Sequence, residues 1–433
     1  MRKLLIIVSL FTMMSCQENL DMIDSENLPE TSSSTNPEFK VNEEDIQSTI
    51  DEFYGVSSLS PTRVENSVSI KKITSLTKSK TRNIGSDSDI DVNDILYIVK
   101  LSNGNTAFVA ADKRAKSLYG IADGNVELDN TDLINSNIPG GLVAILSNAI
   151  ADIKYSIKYN TEVNDDWKTV NVSTRADSDI VGGKEMFTME PRCPVSWHQF
   201  APFNNECPDY LDVSDFSNIT IKKSAAGCVA VAAAQALLCI WDYSNKTFNG
   251  YTLLSSWERL STKKSASQFV SGSDEKTDVA KLIHNIGEAV HMKYGKSSSA
   301  KTGDAIDLIV RASNGLIQCQ EFLTDSCERT LVQKHGVIIL SARNSDDEGH
   351  SMLIDAYRFI YTDGISGTAS NGYNYIKRYY HINYGWGSSY NGYYLYIPVP
   401  ENVDQNLRWE GTADNFPYKM RAFNLWDKRK VTR

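Results

Sequence analysis

Cys228 stands at the head of the run Gly227-Cys228-Val229-Ala230-Val231-Ala232-Ala233-Ala234-Gln235, which continues through Trp241 without glycine or proline after its first residue. An alanine-rich stretch that follows a glycine predicts a buried helix with Cys228 in its first turn. Unpaired N–H groups and the helix dipole favour negative charge there and draw a thiol toward the thiolate, the form that attacks a carbonyl. Position alone favours a buried structural thiol, so a nucleophile at Cys228 needs partners elsewhere in the chain.

Those partners are a base for the proton and donors for the oxyanion. The histidines are 198, 284, 291, 335, 350 and 381. His284 and His291 fall on a helical stretch, and His335 sits at a turn without an evident companion. His350 follows Gly349, is led in by Asp346-Asp347-Glu348 and opens the apolar run Met352-Leu353-Ile354. That pattern puts an imidazole at the mouth of a sheet, where a cysteine from another subdomain can meet it. Asn383, on the next strand, has the chemistry to hold the ring nitrogen that faces away from the thiol. His381 lies two residues away on the same strand face, and pattern leaves it open as the base.

The elements that must position these groups read as α+β. Helical periods at 281–290 and 305–314 precede strand-like runs at 336–342, 350–357, 375–384 and 392–397. Upstream, 37–160 reads as a small module of its own, with a helix over 41–56, a strand over 67–76 and a second helix over 142–159. Between them, strands 94–101 and 106–111 flank the turn Ser102-Asn103-Gly104-Asn105. The module has no catalytic character and suits binding or chaperoning. The polar stretch 161–185, with Ser173-Thr174-Arg175 and Gly182-Gly183-Lys184, reads as a linker and a site of proteolytic maturation, which leaves 186–433 as the second domain.

The 433 residues carry a net charge of -10, with a pI of about 5.2. That balance argues against nucleic acid or an anionic membrane as the main partner. The 21 tyrosines, denser toward the C-terminus, suit strands or a surface that grips an extended ligand. Met1-Arg2-Lys3 followed by a short apolar run reads as a secretory leader, too short to span a bilayer. Its end, Ser15-Cys16, resembles a bacterial lipoprotein cleavage site, so segment 1–16 is expected to end at a lipidated Cys16, with 17–36 a flexible spacer. The expected location is exported, at the cell envelope or surface, with lipid anchoring through Cys16. Of the seven cysteines, Cys239 reads as a core thiol, while Cys193 with Cys207 and Cys319 with Cys327 are candidate pairs. No CxxC pair or HExxH run occurs, and neither a metal nor a cofactor is expected.

Five ordered motifs extend the chemical reading. They are Trp197-His198-Gln199 with Ala201-Pro202-Phe203-Asn204 and Cys207-Pro208, Gly227-Cys228-Val229-Ala230, and Gly287-Glu288-Ala289-Val290-His291-Met292-Lys293-Tyr294-Gly295. Then come Gly349-His350-Ser351-Met352-Leu353-Ile354-Asp355 and His381-Ile382-Asn383-Tyr384-Gly385-Trp386-Gly387. Over roughly 197–394 the chain resembles the streptopain family of papain-like cysteine peptidases. The resemblance implies a papain-like domain, its helical part carrying the Cys and its antiparallel sheet the His, behind a small α+β prodomain that inhibits it. It implies a cysteine endopeptidase made as a zymogen and acting on proteins or peptides. Carried over, Cys228 is the nucleophile, His350 the general base and Gln199 the oxyanion donor beside the Cys228 N–H, while Asn383 and Trp386 orient and shield His350. Segment 37–160 resembles the prodomain chiefly at Phe108-Val109-Ala110-Ala111-Asp112. Tyr384 departs from the family's usual Trp, Phe203 from its Tyr, and the C-terminal stretch lacks a glycine-rich loop. The alternatives are a transglutaminase-type acyl transferase and a catalytically silent surface-binding lipoprotein, the latter disfavoured by intact triad residue types.

Overall fold

In the computed structural model, the residues described are 37–55, 68–81, 84, 90–128, 133, 138–167, 185–213, 219–321, 326–344, 349–363, 373–395 and 418–431. The leader with Cys16, the spacer, most of the linker, the acidic lead-in to His350 and the stretch 396–417 lie outside them.

The N-terminal module begins with α1 (Glu43–Tyr54), started by a reciprocal Asn42/Asp45 capping box and stopped by Gly55 in the left-handed region. Strands β1 (Ile70–Thr77), β2 (Asp94–Leu101), β3 (Thr106–Ala110) and β4 (Leu118–Ala122) form an antiparallel run, and α2 (Gly140–Tyr159) packs across it. The packed part continues beyond 160. Asn164 N–H donates to the Lys113 carbonyl and the Trp167 indole to the Ala115 carbonyl, so 161–167 folds onto the module rather than linking it.

The C-terminal part opens with β5 (Glu185–Thr188) and a hairpin of β6 (Asp209–Asp212) and β7 (Thr220–Lys223). Helix α3 (Cys228–Ile240) follows, then a small hairpin, β8 (Thr247–Phe248) with β9 (Tyr251–Thr252). Helices α4 (Trp257–Ser261), α5 (Asp274–Ala289) and α6 (Thr302–Ala312) come next, then β10 (Ile317–Glu321) and α7 (Ser326–Val332). The remaining strands are β11 (Val337–Arg343), β12 (Gly349–Asp363), β13 (Tyr373–Asn383), β14 (Gly392–Leu395) and β15 (Lys419–Asp427).

One antiparallel sheet joins both parts. Its order is β1-β2-β3-β4-β14-β13-β12-β11-β15-β10, with β5 also on β12. The module is therefore continuous with the C-terminal part through β4 and β14, where Ala122 opposes Gly392 and Ile121 opposes Tyr393. Alternate residues of β11 and β12 divide between two cores, as the two-residue strand period requires. Ile338, Leu340, Met352 and Ile354 join the core containing α2, while Val337, Ile339 and Leu353 join the core around α3, α5 and α6. Burial on both faces accounts for the unbroken apolar character of 337–340.

Candidate active site

Helix α3 places Cys228. Its alanines let the helix run through the core, where 12 of its 13 residues are buried. Gly227 precedes it at φ 88° and ψ 134°, a backbone that a side chain rarely adopts, and a Cβ there would lie 2.7 Å from the Met292 Cε and Sδ. Gly227 supplies no side-chain cap, so first-turn N–H groups stay available. The Val229 N–H points at the sulfur, and the Ser351 N–H donates to it at 3.4 Å from β12.

His350, the second residue of β12 and opposite Ala342 of β11, interacts with the Cys228 sulfur. Its Nε2 lies 3.1 Å from the Tyr384 carbonyl. A carbonyl only accepts, so Nε2 carries the hydrogen and Nδ1 is left to exchange a proton with the thiol. Burial pushes the Cys228 thiol up, but the His350 charge, the hydrogen bond to its ring and the Ser351 and Val229 N–H groups outweigh burial and leave the thiol below its ordinary range. Burial likewise pushes His350 down, and Cys228 with the Tyr384 carbonyl lifts it above the usual imidazole range. Both shifts favour a thiolate–imidazolium pair.

Gln199 reaches the site although 29 positions separate it from Cys228. Its carbonyl accepts from the Ala226 N–H at 2.8 Å, two residues before the cysteine, and the residue is buried. Its loop is held at Trp197, whose N–H donates to the Gln235 Oε1 of α3 at 3.0 Å.

Asn383 and Trp386 stand elsewhere than expected. Asn383 opposes Leu353, three residues beyond His350 on β12. Its Nδ2 donates to the Val195 carbonyl at 2.8 Å and its Oδ1 accepts from the Gly385 N–H at 3.1 Å. The carbonyl of the next residue, Tyr384, therefore holds the imidazole, and Asn383 shapes the turn that presents it. Asn391 fixes the same turn by accepting from the Tyr384 N–H at 3.1 Å. Trp386 packs on His198 and Phe200, at ring separations of 5.2 Å and 5.8 Å, so it covers the Gln199 loop. His381 is removed from consideration as the base. It is buried against Asp355 at 2.6 Å, on β12, and faces Asp123 of the N-terminal module at 3.8 Å.

Sequence reasoning missed the residues packed over His350. The first turn of α2 lies against His350, so tightly that a Cβ on Gly141 would come 2.7 Å from the His350 Cδ2 and 2.8 Å from the Tyr384 Cδ1. The signal available was Pro139-Gly140-Gly141, two poor helix formers at the head of an apolar helix. Further contacts tie the module to the C-terminal part. Buried Lys377 lies 3.2 Å from Glu52 and 3.3 Å from the Ser117 hydroxyl. The Arg358 guanidinium donates to the Phe53 carbonyl at 2.8 Å and stacks over the Phe53 ring at 4.3 Å. The expected Cys193–Cys207 and Cys319–Cys327 pairings are corrected as well: each described cysteine is a free thiol, and Cys193 and Cys239 both lie against the Gln235 carbonyl.

The family model for the Peptidase C10 family matches residues 197–394. Two solved structures are similar. A Prevotella intermedia prointerpain A fragment is 19% identical, over 76% of this chain and 94% of its own, with a TM-score of 0.46. Active wild-type Prevotella intermedia interpain A cysteine protease is 18% identical, over 57% of this chain and 96% of its own, with a TM-score of 0.34. No curated protein matches the chain.

Proposed function

We propose that the chain, whose residues 197–394 match the Peptidase C10 family model, is a cysteine-type endopeptidase made as a zymogen, with Cys228 as nucleophile and His350 as general base. The Tyr384 carbonyl holds Nε2–H, and Nδ1 takes the thiol proton. The thiolate attacks a peptide carbonyl, and the developing oxyanion is held by the Cys228 N–H and the Gln199 side chain. Nδ1–H then protonates the leaving amine, the acyl group remains on sulfur as a thioester, and water releases it with His350 as base.

Latency is assigned to the N-terminal module. The observation that carries the reading is the contact of Gly141 with the ring of His350, beside a thiol already polarised toward thiolate. Helix α2 fills the space over the pair that a substrate needs, and the β4–β14 pairing and the Lys377 and Arg358 contacts hold it there. Cleavage within 168–184 would separate the module from the peptidase domain. The test is mass spectrometry of purified wild type and Cys228→Ala after incubation. Wild type should lose the module with a gain in peptide hydrolysis while Cys228→Ala stays whole. Equal processing of both proteins would remove Cys228 from the nucleophile's role.

The leader-like N-terminus supports export with a lipid on Cys16. Metabolic labelling with a fatty-acid analogue should mark wild type and leave Cys16→Ser unmarked, and label on the variant would refute the anchor.

A further inference from the structure

Two thiols that peptide hydrolysis does not use meet behind the helix of Cys228. Cys239 lies in the last turn of α3, and its Sγ donates to the Gln235 carbonyl at 3.3 Å. Cys193 belongs to the segment between β5 and the Gln199 loop. Its Sγ lies 3.3 Å from the Val195 carbonyl and 4.0 Å from that same Gln235 oxygen, so both sulfurs converge on one carbonyl oxygen. Both neighbourhoods are tied to fixed elements. Cys193 N–H donates to the Asp355 carboxylate at 2.7 Å, and the Gln235 side chain, one turn before Cys239, accepts the Trp197 N–H. Sulfurs gathered around one carbonyl oxygen are brought to bonding distance by rotation of their side chains. Cys207, the other partner suggested by spacing, is engaged instead with Tyr294.

We infer that Cys193 and Cys239 form a disulfide that staples the segment leading to Gln199 onto the helix that carries Cys228. The oxidant is a small disulfide such as oxidised glutathione. Cys239, the more exposed of the two, attacks one of its sulfurs as it gives up its proton, giving a mixed disulfide and releasing one thiol. Cys193 then displaces the second, so that the two protein thiols lose two protons and two electrons and the oxidant leaves as two thiols. The cysteines are 46 positions apart, a loop long enough for closure to stabilise the fold appreciably. The bond also fixes how far the Gln199 loop can move relative to Cys228.

The full-length Cys228→Ala protein, which avoids self-cleavage and reaction at the active-site thiol, is incubated with oxidised glutathione, capped with iodoacetamide and mapped without reduction. The expected product is a peptide pair joining Cys193 to Cys239, two hydrogens lighter than the separate peptides, lost on reduction and absent when Cys239→Ser is added. The oxidised protein should melt about 5 °C above the reduced one. Capping or glutathionylation of both cysteines, or a Cys193–Cys207 link, would overturn the inference. The map of the protein without the Cys239 change decides the matter even if that variant fails to fold.

Discussion

Adding one methyl group at Gly141 tests whether α2 enforces latency. In Gly141→Ala the new Cβ would sit 2.7 Å from the His350 Cδ2, 2.8 Å from the Tyr384 Cδ1 and 3.1 Å from the Met352 Cε. Tyr384 and Met352 are fully buried and His350 nearly so, so little can yield except the start of the helix. Overpacking of this kind costs about 1–3 kcal/mol, which opens the closed state by about 5- to 150-fold. Gly140→Ala is the internal control: its Cβ meets His350 at 3.8 Å and 3.9 Å, ordinary contact distances. Both changes bring the same helix-propensity gain of about 1 kcal/mol, so only the clash separates them. The assay follows loss of full-length chain by mass spectrometry after dilution to a fixed low concentration. Gly141→Ala should self-process about 5- to 150-fold faster than Gly140→Ala, and Gly140→Ala at the wild-type rate or more slowly. Thermal melts of both in a Cys228→Ala background check that each folds. Equal rates for the two alanine variants, with both folded, would refute the assignment of latency to this contact.

Loss of the Gln199 side chain should raise the barrier by about 3 kcal/mol, a hundredfold fall in kcat with KM little changed, measured on processed enzyme with a peptide substrate. The thiolate–imidazolium pair sets the pH dependence. Iodoacetamide should alkylate Cys228 with a midpoint below that of an ordinary thiol, because His350 and the backbone N–H groups lower it against burial. Hydrolysis should fall on the alkaline side only above the usual imidazole range, because His350 is raised, and His350→Ala should move the alkylation midpoint upward. His381→Ala separates structure from catalysis. Breaking the buried pair with Asp355 should cost about 3–5 kcal/mol in urea unfolding while leaving the alkylation midpoint of Cys228 in place. In the folded chain burial pushes His381 down, but Asp355 and Asp123 raise it to about 10. A raised pKa contributes stability fully below about pH 6.5, and that contribution is lost as pH rises through about 10.

What the chain disclosed beforehand, and what it withheld, follows from how local each signal is. The helix of Cys228 and strands β2, β3, β11, β12 and β13 are written in runs of their own residues, and each lies where its pattern implied. Strand β4 is five residues long and β15 is interrupted by charged Arg421 on an exposed edge of its pattern, so neither carries a run that stands out. Yet β4 is the strand that joins the module to β14 and turns two apparent domains into one sheet, a fact that depends on pairing partners far apart in sequence. The site divides in the same way. Residue type identified a thiol, an imidazole and an amide side chain, and the structure brings Cys228, His350 and the Gln199 loop together. It did not identify the group facing the imidazole, because that group is a backbone carbonyl, which every residue possesses. Side-chain identity pointed to Asn383, whose amide bonds Val195 and Gly385 and so sets the direction of the Tyr384 carbonyl. The Asn therefore acts on His350 through the main chain. This also explains why an aromatic residue other than Trp can occupy position 384: its carbonyl, not its ring, receives the imidazole N–H. The ring turns instead toward Tyr394 and the start of α2, where it forms part of the wall that leaves room for nothing larger than glycine at 141.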